Sequence, residues 1–355
     1  MDEVIHGYRL LQPFTTTGGG QCRWTFAEKG DNEYFLKEFL RPTYPMNKRG
    51  SEETQRKKIA DCESFEKHHR DIMHMLRRVS SAHGNLVVAS DFFRSGARYY
   101  KVTTKVDVSA ATPSEVSRLP TQDLWILCTA LAHSINVLHG VDIVHGDLKP
   151  ANVLVKETAR GIPTAKLIDF DDAYRSGSPP SPAELVGDFI YYSPEVYSYM
   201  TKGSDSHKIG SSLGTRSDMF SMGIIFCEYM TGQRPVGIGP DGMPTDTCAE
   251  ALNLGGKVRI PDISSDRSAI QDLLKRLLSS APSDRPSAQE VVAELKLLRL
   301  GKPASASPRE RSSGESRIGT VEIKGSLSKP RSSPRASDSS IVIRGKMIPK
   351  RPEAK

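Results

Sequence analysis

The sequence contains no run approaching the ~18 uncharged apolar residues that a membrane span requires, so no transmembrane helix is expected. Its opening, MDEVIHGYRLLQPF, carries acidic residues where a secretory signal carries basic ones, and no apolar stretch follows. The expected location is therefore cytoplasmic. Cysteine is sparse and scattered: Cys22, Cys62, Cys128, Cys227 and Cys248 are odd in number and show no CxxC spacing. That pattern argues against a disulfide framework and a thiolate zinc site, and all five read as small buried hydrophobes.

Excess charge is also missing from most of the chain, although the total is +7 over 355 residues. From residue 301 onward there are 13 Lys and Arg against 5 Asp and Glu, a balance of +8, which leaves residues 1–300 at −1. Attraction to nucleic acid is thus expected only non-specifically, and only through that tail. The tail, 301–355, holds 12 serines and few large apolar residues, a composition that cannot offset its own ordering entropy and predicts disorder. Two short apolar stretches in it, GTVEI and SSIVIRGKMI, could add a strand to a partner or stay solvated.

What is present is a two-part pattern. Residues 1–106 read as short strands (YRLLQPF, QCRWTFAEK, EYFLKEF, LVVASDFFRS, RYYKVTTKV) around one helix, IADCESFEKHHRDIMHMLRRV, whose Cys62, Phe65, Ile72 and Leu76 recur at helical spacing. Residues 107–300 are mainly helical. TQDLWILCTALAHSINVLHG starts with a Thr cap and ends at a glycine, SDMFSMGIIFCEYMTG is apolar nearly all round, and RSAIQDLLKRLLS and SAQEVVAELKLLRL are amphipathic. The expected class is α+β and bilobal: a small β-rich N-lobe, a larger helical C-lobe, and a ligand cleft at their junction.

Two adjacent segments carry the chemistry. IVHGDLKPANVLV lies between a long helix and a short strand, and AKLIDFDD returns after the turn KETARGIPT as its partner strand. Phosphoryl transfer needs a carboxylate to orient and deprotonate a hydroxyl, a cation near the moving phosphate, and oxygen ligands for magnesium. Asp147, Lys149, and the pair Asn152 and Asp169 offer these in order. A lone Asp in a turn is usually a cap; the ordered set D-x-K-x-x-N followed by a strand ending in D-F is a far more specific signal.

On these motifs the chain resembles a eukaryotic-type Ser/Thr protein kinase, over about residues 8–300. The resemblance implies a Mg-ATP-dependent enzyme that phosphorylates protein hydroxyls, with Asp147 and Lys149 catalytic, and Asn152 and Asp169 binding Mg2+. Lys37 in YFLKEF would hold the nucleotide's phosphates, Glu195 in YYSPEVY would close the activation segment, and Arg285 would pair with Glu195. Asp218 in RSDMFSMG would anchor the catalytic loop from below. KVTTKVD would place Thr103 behind the adenine, with Thr104 to Val106 at its edge. Lys149 favours Ser/Thr over Tyr acceptors.

Departures from the family pattern qualify this. In TTTGGGQCRWTFA only the middle glycine keeps its place, yet Gly18, Gly19 and Gly20 leave the backbone able to approach phosphates. The helix glutamate for Lys37 is expected to be Glu66, with Glu63 the alternative, and both could instead be solvated. Gly146 stands where an arginine often clamps a phosphorylated activation loop, which implies regulation without that clamp and weakens Ser176, Ser178 and Ser181 as activating sites. Asp171 replaces the glycine of DFG, narrowing backbone motion there and offering another carboxylate to a second magnesium. Asp188 replaces a threonine that contacts the catalytic pair. The glycine-rich loop and the insertion RPTYPMNKRGSEETQRKK resemble bacterial kinases encoded with phosphatases, which implies a cognate phosphatase as a partner. The competing reading is a pseudokinase, a nucleotide-binding scaffold without phosphotransfer; a small-molecule kinase is disfavoured by YYSPEVY and the helices behind it.

Overall fold

The strands at the start of the chain alternate buried and exposed residues, and they assemble into one antiparallel sheet. In a computed structural model the residues described are 3–17, 22–46, 50–80, 84–106, 111–158, 161–185, 187–201 and 209–301. Gly18, Gly19, Gly20 and the tail beyond residue 301, with its GTVEI and SSIVIRGKMI stretches, lie outside them. The sheet has the order β1-β2-β3-β4-β6-β5, with β1 Val4–Ile5, β2 Tyr8–Leu10, β3 Cys22–Lys29, β4 Asn32–Phe39, β5 Asp91–Ser95 and β6 Arg98–Thr104. Ile5, Tyr8, Ala27, Leu36, Phe93, Tyr100 and Val102 form a core on one face. On the other, Phe39, Phe92 and Tyr99 receive helix α1, Glu52–Ser80, through Cys62 and Phe65.

Helix α1 is longer than its apolar period predicts. It begins at Glu52, so the last seven residues of the expected insertion are helical, with Glu52 and Glu53 in the first turn where acids complement the helix dipole. β5 is shorter than LVVASDFFRS suggests, because its first residues pair elsewhere: Val87 N–H donates to the Leu167 carbonyl at 2.9 Å, and Leu167 N–H to the Asn85 carbonyl at 2.8 Å. That exchange ties residues 85–87 to the strand leading into Asp169.

After β6 the chain is mostly helical. Helix α2 (Pro113–Val116) is closed by a Thr112–Glu115 capping box, and α3 (Thr121–His139) follows. Thr121 is the first helical residue rather than the cap, which is Pro120; the threonine hydroxyl instead bonds Asp266. Strand β7 (Ile143–Val144) pairs with β10 (Tyr174–Arg175), and β8 (Val153–Glu157) with β9 (Pro163–Leu167), both antiparallel. This places the loops β7–β8 and β9–β10 side by side. Helix α4 (Pro194–Thr201) precedes the helix Arg216–Thr231, which is buried along almost its whole length as its unbroken apolar character requires. All five cysteines are buried free thiols, and no helix among the described residues is long and apolar enough to cross a membrane.

Candidate functional site

The loop after β7 is built on a buried acid. Asp218, 2% exposed, accepts the backbone N–H of His145 at 2.8 Å and of Gly146 at 3.3 Å, and lies 3.0 Å from the His139 ring. The His145 ring, fully buried, bonds the Ile168 carbonyl through Nε2 at 3.1 Å and leaves Nδ1 for the Asp147 N–H. One imidazole therefore joins the β7–β8 loop to the β9–β10 loop. Gly146 has φ +81°, a backbone that side chains adopt rarely, and a Cβ there would lie 2.3 Å from the Asp172 carbonyl oxygen. An arginine at this position cannot be accommodated without moving the β9–β10 loop.

On this frame Asp147, Lys149 and Asn152 come together. Lys149 Nζ lies 2.7 Å from Asp147 Oδ2, and Asn152 Nδ2 donates to the Asp147 backbone carbonyl at 2.7 Å and to Oδ2 at 3.0 Å. The Asp188 N–H lies 3.3 Å from Oδ1, while the Asp188 carboxylate turns back to cap Ile190 N–H at 3.1 Å. Lys149, Asn152 and the Asp188 N–H all donate to Asp147, so its carboxylate is held by three donors from two segments of chain. Asn152 also accepts Ile168 N–H through its backbone carbonyl at 3.0 Å, which sets it beside Asp169.

Asp169 adopts φ +62°, an uncommon conformation for a residue with a side chain, and this turn brings its carboxylate to Lys37. Lys37 Nζ donates to Asp169 Oδ1 at 2.9 Å and Oδ2 at 3.0 Å, and stands 2.6 Å from Asp171 Oδ2 as an ion pair. Asp171 Oδ1 is bonded to Lys101 of β6. Burial pulls the Lys37 ammonium down, but Asp171 and then Asp169 outweigh it and hold it above the usual lysine range. Burial likewise opposes the Asp171 carboxylate, yet Lys101 and Lys37 hold it far below its ordinary value. Asp169 is pushed up by burial and by Asp171, against the pull of Lys37. Next along the chain, burial and the neighbouring acids Asp171, Asp147 and Asp169 push Asp172 up to about 8.

The expected partner of Lys37 requires correction. Glu66 does not reach it: its carboxylate lies 3.8 Å from Arg70 and 3.9 Å from Arg94, and Glu63 is exposed. Glu63 falls off the buried stripe of α1, which runs Cys62, His69, Ile72, Leu76, whereas Glu66, four residues after Cys62 and three before His69, stays half-buried at its edge, where Arg70 and Arg94 take its carboxylate; His69 faces the sheet where an acid was expected. Burial and Lys101 hold the His69 ring well below its usual pKa, and its Nδ1 makes no hydrogen bond among the described residues. Asp171 is likewise not turned outward as a spare metal ligand; it is buried between two lysines. Sequence reasoning missed Lys101 and His69. The available signal was a lone lysine inside the apolar strand RYYKVTT and a histidine in phase with Cys62 and Ile72.

The remaining expected residues fall in two places. Thr104 ends β6 with its side chain exposed, and Val106 follows half-buried. The glycine loop is described only at its flanks, where Trp24 Nε1 bonds the Thr17 carbonyl at 2.9 Å and Thr15 bridges Trp24. Farther down, Arg285 forks onto Glu195 at 2.7 and 2.8 Å, with its remaining donors on the carbonyls of Ser279, Ser280 and Arg216. This satisfied buried ion pair ties α4 to the segment before the last helix.

A two-part fold with these paired loops defines a known class, and residues 46–295 match the protein kinase domain family. The chain belongs to that family. It is similar to the serine/threonine-protein kinase PknA of Corynebacterium glutamicum (30% identical, 50% of this chain, 39% of the relative). It is also similar to the serine/threonine-protein kinase PkaA of Streptomyces coelicolor (29%, 59% of this chain, 34% of the relative) and to pkn3 of Myxococcus xanthus (32%, 51% and 32%). The aligned part spans about a third of these relatives' lengths. Lys37 lies before the matched family region.

Proposed function

We propose that the protein is a Mg-ATP-dependent protein Ser/Thr kinase. The observation that carries this reading is the closure of Asp147, Lys149 and Asn152 on one carboxylate, with Lys37 and Asp169 joined beside them. Asp147 orients the acceptor hydroxyl and takes its proton as the oxygen bonds to the γ-phosphorus and the bond to the leaving ADP oxygen breaks. Lys149 neutralises charge on the γ-phosphoryl oxygens. Asn152 and Asp169 are oxygen donors on adjoining loops, a donor set suited to magnesium, whose charge when bound screens the phosphates. Lys37 holds the α- and β-phosphates, Gly18, Gly19 and Gly20 are assigned to the same phosphates, and Thr104 and Val106 border the adenine.

The same reading extends to regulation. With glycine at 146 there is no cation to clamp a phosphorylated activation loop, so switching is assigned to other means, with a cognate phosphatase as a partner. Incubation with labelled ATP and magnesium, with a generic basic protein as acceptor, tests the activity. Transfer that disappears in Asp147→Asn supports the proposal. Nucleotide binding without transfer to itself or to the acceptor returns the chain to the scaffold reading.

A further inference from the structure

Lys37 and Lys101 are direct cross-strand partners in the β4–β6 ladder, so their side chains leave the same face of the sheet. Like charges directly opposite one another are destabilising, and these two are largely buried, at 14% and 10% exposed. The carboxylate that reconciles them comes from neither strand nor from α1. It is Asp171, with one oxygen 2.6 Å from Lys37 Nζ and the other bonded to Lys101. Asp171 is not among the residues in the left-handed region, so the backbone does not demand a glycine there. Helix α1 offers His68 and His69 toward this place and no acid, since Glu66 is engaged with Arg70 and Arg94.

We infer that Asp171, held from the sheet by Lys101, is the positioning residue for Lys37. Asp169 also touches Lys37, but in the phosphotransfer reading, on which this inference rests, Asp169 is committed to magnesium. Asp171 then remains as the carboxylate that keeps Lys37 in place. The lysine is set by a rigid strand and a turn of the β9–β10 loop, and its alignment does not depend on an acid carried by α1.

The test uses the full chain and the variants Asp171→Asn, Asp171→Glu, Lys101→Met and Glu66→Gln. Breaking one partner of a buried pair corresponds to about a 100-fold loss, expected for Asp171→Asn and Lys101→Met in kcat/KM for ATP and in Mg-ATP affinity. The KM for the protein acceptor stays unchanged, Asp171→Glu recovers most of the loss, and Glu66→Gln remains within about threefold of wild type. A second readout needs neither nucleotide nor metal: labelling of Lys37 by an amine-reactive reagent, followed by mass spectrometry, speeds up in Asp171→Asn and not in Glu66→Gln. Unchanged labelling and ATP kinetics in Asp171→Asn, or an equal loss in Glu66→Gln, would overturn the inference. Should Asp171→Asn fail to fold, Lys101→Met decides it by the same readouts. Should the wild type transfer no phosphate, the kinase proposal falls, while Lys37 labelling and Mg-ATP affinity still judge the role of Asp171.

Discussion

The Asp147 loop and the seat of Lys37 are neighbours of different construction. In the loop, Asp147, Lys149 and Asn152 meet within a single turn of chain, and Asp218 fixes the backbone beneath them. At the seat, Lys37 comes from β4, Lys101 from β6, His69 from α1, and Asp169 and Asp171 from the β9–β10 loop. The loop draws its charged groups from one short segment, and the seat draws them from four elements. A site assembled from one short segment can hardly vary without losing its geometry, whereas one assembled from four elements can exchange the origin of a charge as long as the charge arrives.

The sharpest way to break this comparison is Asp147→Asn. Removal of a general base lowers kcat by about 10²- to 10⁴-fold, and Mg-ATP affinity should be unaffected. Steady-state kinetics with a parallel nucleotide titration measures both. A matching loss of affinity would make loop and seat a single unit.

Next in size is Arg285→Met, which leaves Glu195 buried without its cation and costs about 3–5 kcal/mol in urea unfolding. Below its unfolding transition, Lys37 labelling in this variant should equal wild type, because the ion pair supports the helical region and not the seat. Smaller, at about 2–4 kcal/mol, is Gly146→Ala, which combines an unfavourable φ with a Cβ 2.3 Å from the Asp172 carbonyl. That contact links the two regions, so the variant should disturb both catalysis and Lys37 labelling.

The smallest effect lies away from both. Burial pushes Glu228 up to about 7, against the Tyr191 hydroxyl that bonds it and the nearby Arg234. Its folded pKa exceeds its unfolded one, so its contribution is complete below the ordinary glutamate range and is lost as pH rises through 7. The stability of the wild type should fall between pH 5 and 8 relative to Glu228→Gln by on the order of 1–2 kcal/mol, read as a difference in Tm profiles. An identical profile for the two proteins would place the charge in solvent.

Much of this was legible in the residue order. The strand pattern before residue 106 and the helical spacings after it express side-chain periodicity, and they define an α+β chain directly. Asp147, Lys149, Asn152 and Asp169 stood out because each is a polar residue set at a defined place between apolar runs, and Lys37 came from the family resemblance alone. Glu66 was expected at Lys37 because helical spacing sets it beside Cys62 and His69, and spacing does not reveal that Arg94 of β5 joins Arg70 in drawing its carboxylate away. The start of α1 was misplaced for a related reason: Glu52–Lys58 has no apolar stripe to announce a helix.

By itself the sequence determined most of the elements, the set of polar residues in the Asp147 loop, and the near-neutral charge of residues 1–300, since each depends on residues close together in the chain. The tertiary structure alone decided what holds Lys37. Strand register sets Lys37 against Lys101, and the turn at Asp169 carries Asp171 between them. Neither relation has a signature in sequence spacing, because a buried pair of like charges is resolved by whichever carboxylate the folded chain brings within reach.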